Sequence, residues 1–459
     1  MLLENLARCR DSFAGYTELR AHENTTQTIQ ILMGSVTTNQ LVRVGGVSAR
    51  VRRGGMWGFA SRPVFSSEAV KNVLDAATQN AAFLESRRPA ADALPARPGN
   101  VSVDLRSGRA QPGAAELLEL LRPLDEYIRQ KYPKLQSRWL RLHRFDNEKS
   151  LVTSDGAESM VYLPQTHIYF GMTMERDDGP VELMSRRNGG LGNAADLYAS
   201  PDALLREIDA LYEDLCRKRE GVYPEAGLRD CILGPDLAGI LAHEAVGHTV
   251  EADLVQAGSV AGRMLGTRVA DERISIVDFA HTAWGETAPV PVYVDDEGVE
   301  ARDAVLIENG VLKGFMHNKE SAQRAGVEPD GNARGFTFSD EPLIRMRNTA
   351  ILPGQDKLED MVASLEDGYY LCNPSNGQAD MTGEFMFGVT MGYEVKNGKR
   401  GRALLDTTVS GVAFDMLKTV TQVSDDVTWL SSGFCGKKQP MRVGMGGPAI
   451  RCKINVGGR

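Results

Sequence analysis

The stretch "PVPVYVDDEGVEARDAVLIENGVLKGFMHN", residues 289–318, decides the fold class. Val290, Val292 and Val294 recur at period two, the pattern of a strand that buries one face. Further on, Asn309-Gly310 separates two apolar segments. Both residues tolerate the positive φ angles of a type I′ turn, so the pair predicts a two-residue hairpin. "GYEVKNGKRGR", residues 392–402, repeats that signal at Asn397-Gly398. Hairpins join antiparallel strands, so the second half of the chain reads as a mainly antiparallel β domain.

Toward the N-terminus, "TQTIQILMGSVTTNQLVRVGGVSARVRRGGMWGFAS" (26–61) also alternates, with glycines marking its turns. The spacing then changes to helical. In "SSEAVKNVLDAATQNAAFLES" (66–86) Ser66 is placed as N-cap, and Val70, Val73, Leu74, Ala77, Ala81 and Leu84 share one face. "AAELLELLRPLDEYIRQKY" (114–132) carries Leu117, Leu120, Leu121, Leu124 and Ile128 on one stripe, and "PDALLREIDALYEDLCRKR" (201–219) predicts a third helix. Between them "SRWLRLHRF", "SLVTSD" and "MVYLPQTHIYFGMTME" read as strands. The expected organisation is α+β. An N-terminal region, 1–221, holds a strand-rich part (25–60), a helix (67–86), a linker (87–113) and a second part (114–221). The boundary falls in "GVYPEAG", and a β-rich domain, 222–459, carries an embedded helix.

Composition narrows the function. The 459 residues are 42% apolar and 25% charged, an ordinary globular balance. No apolar run approaches the roughly 20 residues that span a bilayer, and "MLLENLARCRDSFAGY" lacks the unbroken apolar stretch of a signal peptide. The expected location is the cytoplasm. A net charge of −9 disfavours nucleic acid as a partner. Six cysteines (Cys9, Cys216, Cys231, Cys372, Cys435 and Cys452) form no CxxC pair, which fits a reducing compartment.

The embedded helix is "LAGILAHEAVGHTVEAD", residues 237–253. His243 and His248 are candidate metal ligands and Glu244 a candidate general base, the ingredients of metal-assisted hydrolysis. The spacing is unusual. At about 100° per residue, five residues set the two imidazoles some 140° apart on a straight helix. They converge only if the helix widens into a π-type turn or ends between them, and Gly247 would ease the distortion. Glu251, Asp253 and Cys435 are candidates for a third ligand. The two carboxylates could equally face solvent, and Cys435 in "SSGFCGKKQPMRVGMGGP" could equally be an inert buried thiol.

Other signals read as structural. His22 in "AHEN" is expected to be an exposed strand residue, and His281 and His317 structural histidines. Trp57 and Phe59 are assigned to the core or an interface, and Cys216 and Cys372 to packing. "RVGMGGP" (442–448) has no Lys-Ser/Thr pair to follow and is not read as a phosphate loop.

Taken together, the chain resembles the TldD subgroup of the TldD/PmbA family of zinc metallopeptidases. The resemblance runs over nearly the whole length. It rests on "GGMWGFAS", "HEAVGHTVEAD", "AVLIENGVLKGFMHNKESA", "GNARGFTFSDEPLIRMRNT", "TGEFMFGV" and the ending "CGKKQPMRVGMGGP...NVGG", where Met441, Met445 and Cys452 depart from the family pattern. It implies zinc held by His243, His248 and Cys435, Glu244 as general base, and unfolded or leader-type peptides as substrates. It also implies a homodimer, or a heterodimer with a metal-free PmbA-like (TldE) paralogue. Two other functions remain open at this stage: an amidase acting on a small-molecule amide, and a non-catalytic scaffold subunit with a structural zinc.

Overall fold

The period-two segments of the first half assemble into one eight-stranded sheet. The computed structural model describes residues 6–85, 93–185 and 188–458. Its strand order is Met56–Arg62, Ser35–Arg53, Tyr16–Leu32, Ser137–Thr153, Glu158–Met174 and Asn100–Asp104, and Val181–Ser185 and Gly189–Leu191 also pair with Glu158–Met174. All pairings are antiparallel except that of Asn100–Asp104. That edge strand lies inside the stretch read as a linker. It is short and its burial alternates weakly, so Pro and Ala around it dominated the reading. Residues 86–92, the last residue of the expected helix and the start of that linker, lie outside the described residues.

The two faces of this sheet differ chemically because alternate residues point opposite ways. Leu19, Ala21, Ile29 and Ile31 on one strand, and Leu140 and Leu142 on the next, turn to the helices. Ser67–Glu85 buries Val70, Val73, Leu74, Ala77 and Ala81 there, and the Ser66 hydroxyl accepts from the Ala69 amide at 3.0 Å to cap it. Ala114–Lys131 and Asp202–Arg219 cover the rest. The opposite face carries Glu18, Arg20, His22, Asn24, Asn147 and Lys149, and it packs against the second half of the chain. Arg20 donates to the Asp340 carbonyl (2.6 Å), Asn24 to the Phe336 carbonyl (2.6 Å), and Lys149 to Asp296 (2.7 Å). His22 sits in this interface fully buried, hydrogen-bonded to Asn24 and Asn147, rather than exposed as the sequence suggested. Trp57 belongs to it too: Arg50 lies 3.6 Å over its ring and its indole N–H donates to Glu320.

The second half builds two large sheets around its main core, with two two-stranded pairs beside them. A six-stranded sheet runs Val311–Leu312, Ala304–Glu308, Ile276–Phe279, Asn348–Ile351, Met441–Gly447 and Thr428–Cys435. In the other, Asp367–Ala379, Gly227–Leu233, Ile450–Val456, Thr407–Val412 and Glu384–Lys396 pair in turn, and the last pairs back with the first. Both predicted hairpins form, with Asn309 and Gly310 at φ 47° and 79° and Asn397 and Gly398 at 49° and 70°. Pairing is mainly antiparallel, with two parallel exceptions. The Val290–Val294 run is a correction. It is not a strand, because its amides go to irregular partners: Val290 N–H to the Asn348 side chain and Val292 N–H to the Ala280 carbonyl. The period-two valines here line a crossing segment between the halves.

Between the two sheets lies the helix Pro235–Leu241, every residue of it buried. Gly239 explains how it fits: a Cβ there would come within 2.9 Å of the Gly446 backbone nitrogen, so the helix rests directly on strand Met441–Gly447. The glycines of "RVGMGGP" are therefore part of a fully buried strand. Among the described residues no helix is long and apolar enough to cross a membrane.

Candidate metal centre

The helix ends as the five-residue spacing predicts, in a π turn over Ala242–Gly247. The turn brings the imidazoles of His243 and His248 to a centroid separation of 5.3 Å. Gly247 has ordinary helical angles, φ −53° and ψ −48°, so flexibility is not its contribution. A Cβ there would lie 2.0 Å from the Met346 sulfur, which makes the residue a matter of space.

Cys435 enters from the end of strand Thr428–Cys435. One ligand atom from each of His243, His248 and Cys435 can be chosen so that all lie within 4.8 Å of one another. The Cys435 sulfur is 3.3 Å from His248 Nε2. Arg345, fully buried, fixes the segment that presents it: its guanidinium donates to the carbonyls of Cys435 (2.8 Å) and Gln439 (2.7 Å). Glu251 is neither in the cluster nor facing solvent. It is completely buried and pairs with His248 Nδ1 at 2.8 Å, while Lys437 lies 3.3 Å from its carboxylate. Asp253 pairs with Lys437 at 2.8 Å. A carboxylate on Nδ1 sets the tautomer and leaves Nε2 directed at the sulfur.

Electrostatics favour a thiolate. Burial alone would push the Cys435 thiol up, but the imidazoles of His243 and His248 outweigh it and hold the group down at about 3. Burial likewise opposes charge on His248, yet its bonds to Cys435 and Glu251 push it up to about 10. His243 is close enough to act on the thiol, but neither of its buried ring nitrogens meets hydrogen-bond geometry with any partner. An orphaned buried imidazole is costly, and a cation removes that cost. Two imidazoles and a thiolate are a donor set suited to zinc, so the three residues could hold such an ion.

Glu244 lies beside them, its carboxylate 3.4 Å from His248 Nε2, and it also lines a cleft of about 620 Å³. The far wall is contributed by the N-terminal sheet through Trp139, Arg141, His143 and Tyr169, with Phe434 and Met445 between. Sequence reasoning missed these wall residues. The signal was available: in "SRWLRLHRF" Leu140 and Leu142 face the helices, so Trp139, Arg141 and His143 must share the other face. His281 stacks on Tyr293 (4.8 Å) and His317 bonds Ser321 (3.0 Å), and neither joins the cluster. Cys216 and Cys372 pack against the core between the N-terminal sheet and the helices Ala114–Lys131 and Asp202–Arg219, as expected.

Residues 227–458 match the profile described as PmbA/TldA metallopeptidase C-terminal domain, and residues 17–81 match that of PmbA/TldA metallopeptidase domain 1. The chain belongs to the TldD/PmbA metallopeptidase family. Among its TldD/PmbA relatives, a zinc metalloprotease TldD homolog of Saccharolobus solfataricus is 31% identical, over 75% of this chain and 76% of that one. A metalloprotease of Methanocaldococcus jannaschii is 30% identical, over 96% of each chain. Two solved structures share the fold at 18% identity. They are TldE from Thermococcus kodakarensis (TM-score 0.77, 100% of both chains) and a protein of Thermotoga maritima described as a putative modulator of a DNA gyrase (TM-score 0.79, 98% of this chain and 97% of that one).

Proposed function

We propose that the protein is a zinc-dependent peptidase that hydrolyses amide bonds of unfolded or leader-type peptides. The observation that carries this reading is the convergence of His243, His248 and Cys435 at the cleft that Glu244 lines. These three side chains would hold the zinc. When bound, the ion would supply a Lewis acid for the peptide carbonyl and acidify a water. The Glu244 carboxylate faces both the donor cluster and the cleft, so it can accept the proton of the attacking water and deliver it to the leaving amine. Glu251 fixes the tautomer of His248, and Arg345 fixes the backbone that carries Cys435. The cleft lies between strand-built walls, where an extended chain can make main-chain hydrogen bonds and a folded domain is excluded by shape.

The relatives named metalloprotease support the reaction class, and the one named zinc metalloprotease supports the ion. The likeness to TldE supports a second subunit, either a copy of this chain or a TldE-like one. The six cysteines, sparse and without a CxxC pair, support a cytoplasmic location. The test is Glu244→Gln. Zinc content, measured by mass spectrometry of the purified protein, stays at the wild-type level, while hydrolysis of an unstructured peptide falls at least about 10²-fold. Full activity in this variant removes Glu244 from the chemistry.

A further inference from the structure

Arg442 lies behind the cleft in a condition no other part of the mechanism uses. It is 3% exposed, none of its three guanidinium nitrogens meets full hydrogen-bond geometry, and the polar group near it is the Tyr169 phenol. Among the described residues no carboxylate pairs with it. Its neighbours are the faces of Phe145 (5.2 Å) and Phe434 (4.5 Å) and the phenol of Tyr169. Phe434 and Tyr169 line the cleft, and so does His143, which feels the Arg442 charge. Beside Arg442 is a space of about 40 Å³, bounded also by Lys149 and Arg334. Those two are already engaged, Lys149 with Asp296 and Arg334 with the Met346 carbonyl.

A second cation stands at the cleft wall. Arg141 bonds to the Gln30 amide oxygen (2.9 Å) and lies over Trp139 (5.5 Å), again with no carboxylate among the described residues. Within the described cleft lining, Glu244 is the only carboxylate. A chain of net charge −9 thus carries one guanidinium, Arg141, on the cleft lining and a second, Arg442, buried behind the lining residue Phe434, with no carboxylate paired to either among the described residues. Burying a charge without a partner is strongly unfavourable. Planar guanidinium matches a carboxylate with two parallel hydrogen bonds.

Resting on the peptidase reading above, we propose that the cleft selects peptides bearing a carboxylate, which pairs with Arg442 behind Phe434 while Arg141 attracts it at the wall. An acidic side chain and a free C-terminus offer the same group, and four peptides of one sequence separate them. One pair differs by an internal Glu or Gln, the other by a terminal acid or amide. Each carries a fluorophore, and binding to the full-length, metal-stripped protein is followed by anisotropy.

The expected result is at least tenfold tighter binding of the acidic member of one pair, and the pair that discriminates names the source. Arg442→Gln brings the ratio near one, Arg442→Lys retains part of it, and Arg141→Gln, at an exposed position, lowers it severalfold. If the Arg442 variants fail to fold, the wild-type ratio and Arg141→Gln still decide. Equal affinities within both pairs in the wild-type protein overturn the inference. Hydrolysis of the same four peptides by the zinc-loaded protein separates the two claims. Turnover without discrimination removes the carboxylate site alone, whereas discrimination in binding without turnover of any peptide removes the peptidase reading.

Discussion

Arg347 and Arg442 sit on neighbouring segments, joined where the Gly444 amide donates to the Arg347 carbonyl at 2.8 Å, and both are buried. Their surroundings could hardly differ more. The Arg347 guanidinium donates to Asp278 Oδ2 and to the carbonyls of Asp278, Arg302 and Asp330. Asp278 is itself saturated, accepting also from the Arg347 amide, Thr349 and Asn332. Arg442, like His243, has no such bonds. One region of this protein buries charge in order to fix two strands and a loop. The other leaves hydrogen-bonding capacity unspent beside a cleft. Saturation marks a structural node, and vacancy of this kind marks a place prepared for something else.

The contrast can be broken by substitution. Asp278→Ala strands a fully buried guanidinium and is expected to cost about 3–5 kcal/mol, read from urea unfolding. A loss below about 1 kcal/mol would show the node to be ornamental. Glu251→Gln removes the charge behind His248 and should weaken zinc binding about 10- to 100-fold, measured by competition with a chromophoric chelator. Unchanged affinity would detach Glu251 from the site.

A titration sharpens the same comparison with a smaller effect. Burial and the charges of Arg442 and Arg141 bring His143 down to about 4 from its usual 6.5. The folded state therefore prefers the neutral ring, and this preference contributes stability at pH values above 6.5. That contribution disappears as pH falls toward and through 4. Melting temperature should drop over that interval by a few degrees more in the wild type than in His143→Gln, and parallel curves would contradict the assignment. The smallest shift is expected at Arg442. Because its guanidinium has no carboxylate partner to orphan among the described residues, Arg442→Met should melt at or above the wild-type temperature, and a large loss would mean that the arginine is structural after all.

These differences also mark how far the sequence could be read. Periodicity placed the three long helices, and two Asn-Gly pairs placed their hairpins, because each signal is local to a few residues. The π turn was legible for the same reason, as one of the two ways, widening or ending the helix, in which His243 and His248 can converge. The roles of Glu251, Arg345, Arg347 and Arg442 were not legible. Each depends on a partner, or the lack of one, from a distant strand, and "IRMRNT" looks like any solvated charged stretch. His22 failed likewise: its strand is exposed-looking until the second half of the chain covers it. The valines at 290, 292 and 294 kept the rhythm of a strand although, among the described residues, only an isolated bridge from Val294 to Glu300 pairs any of them.

The π turn has one more consequence. A helix with i to i+5 bonding has taken up one residue beyond what its pitch accommodates, so the segments on its two sides are about 100° out of phase. Upstream, Leu237, Ala238 and Leu241 are seated in the core by one phase; downstream, His248 is turned toward the Cys435 sulfur by the other. Excising a residue such as Ala245 would rewind the helix to regular pitch, and the shortened chain could keep its seat between the sheets or its imidazole–sulfur contact. It could not keep both.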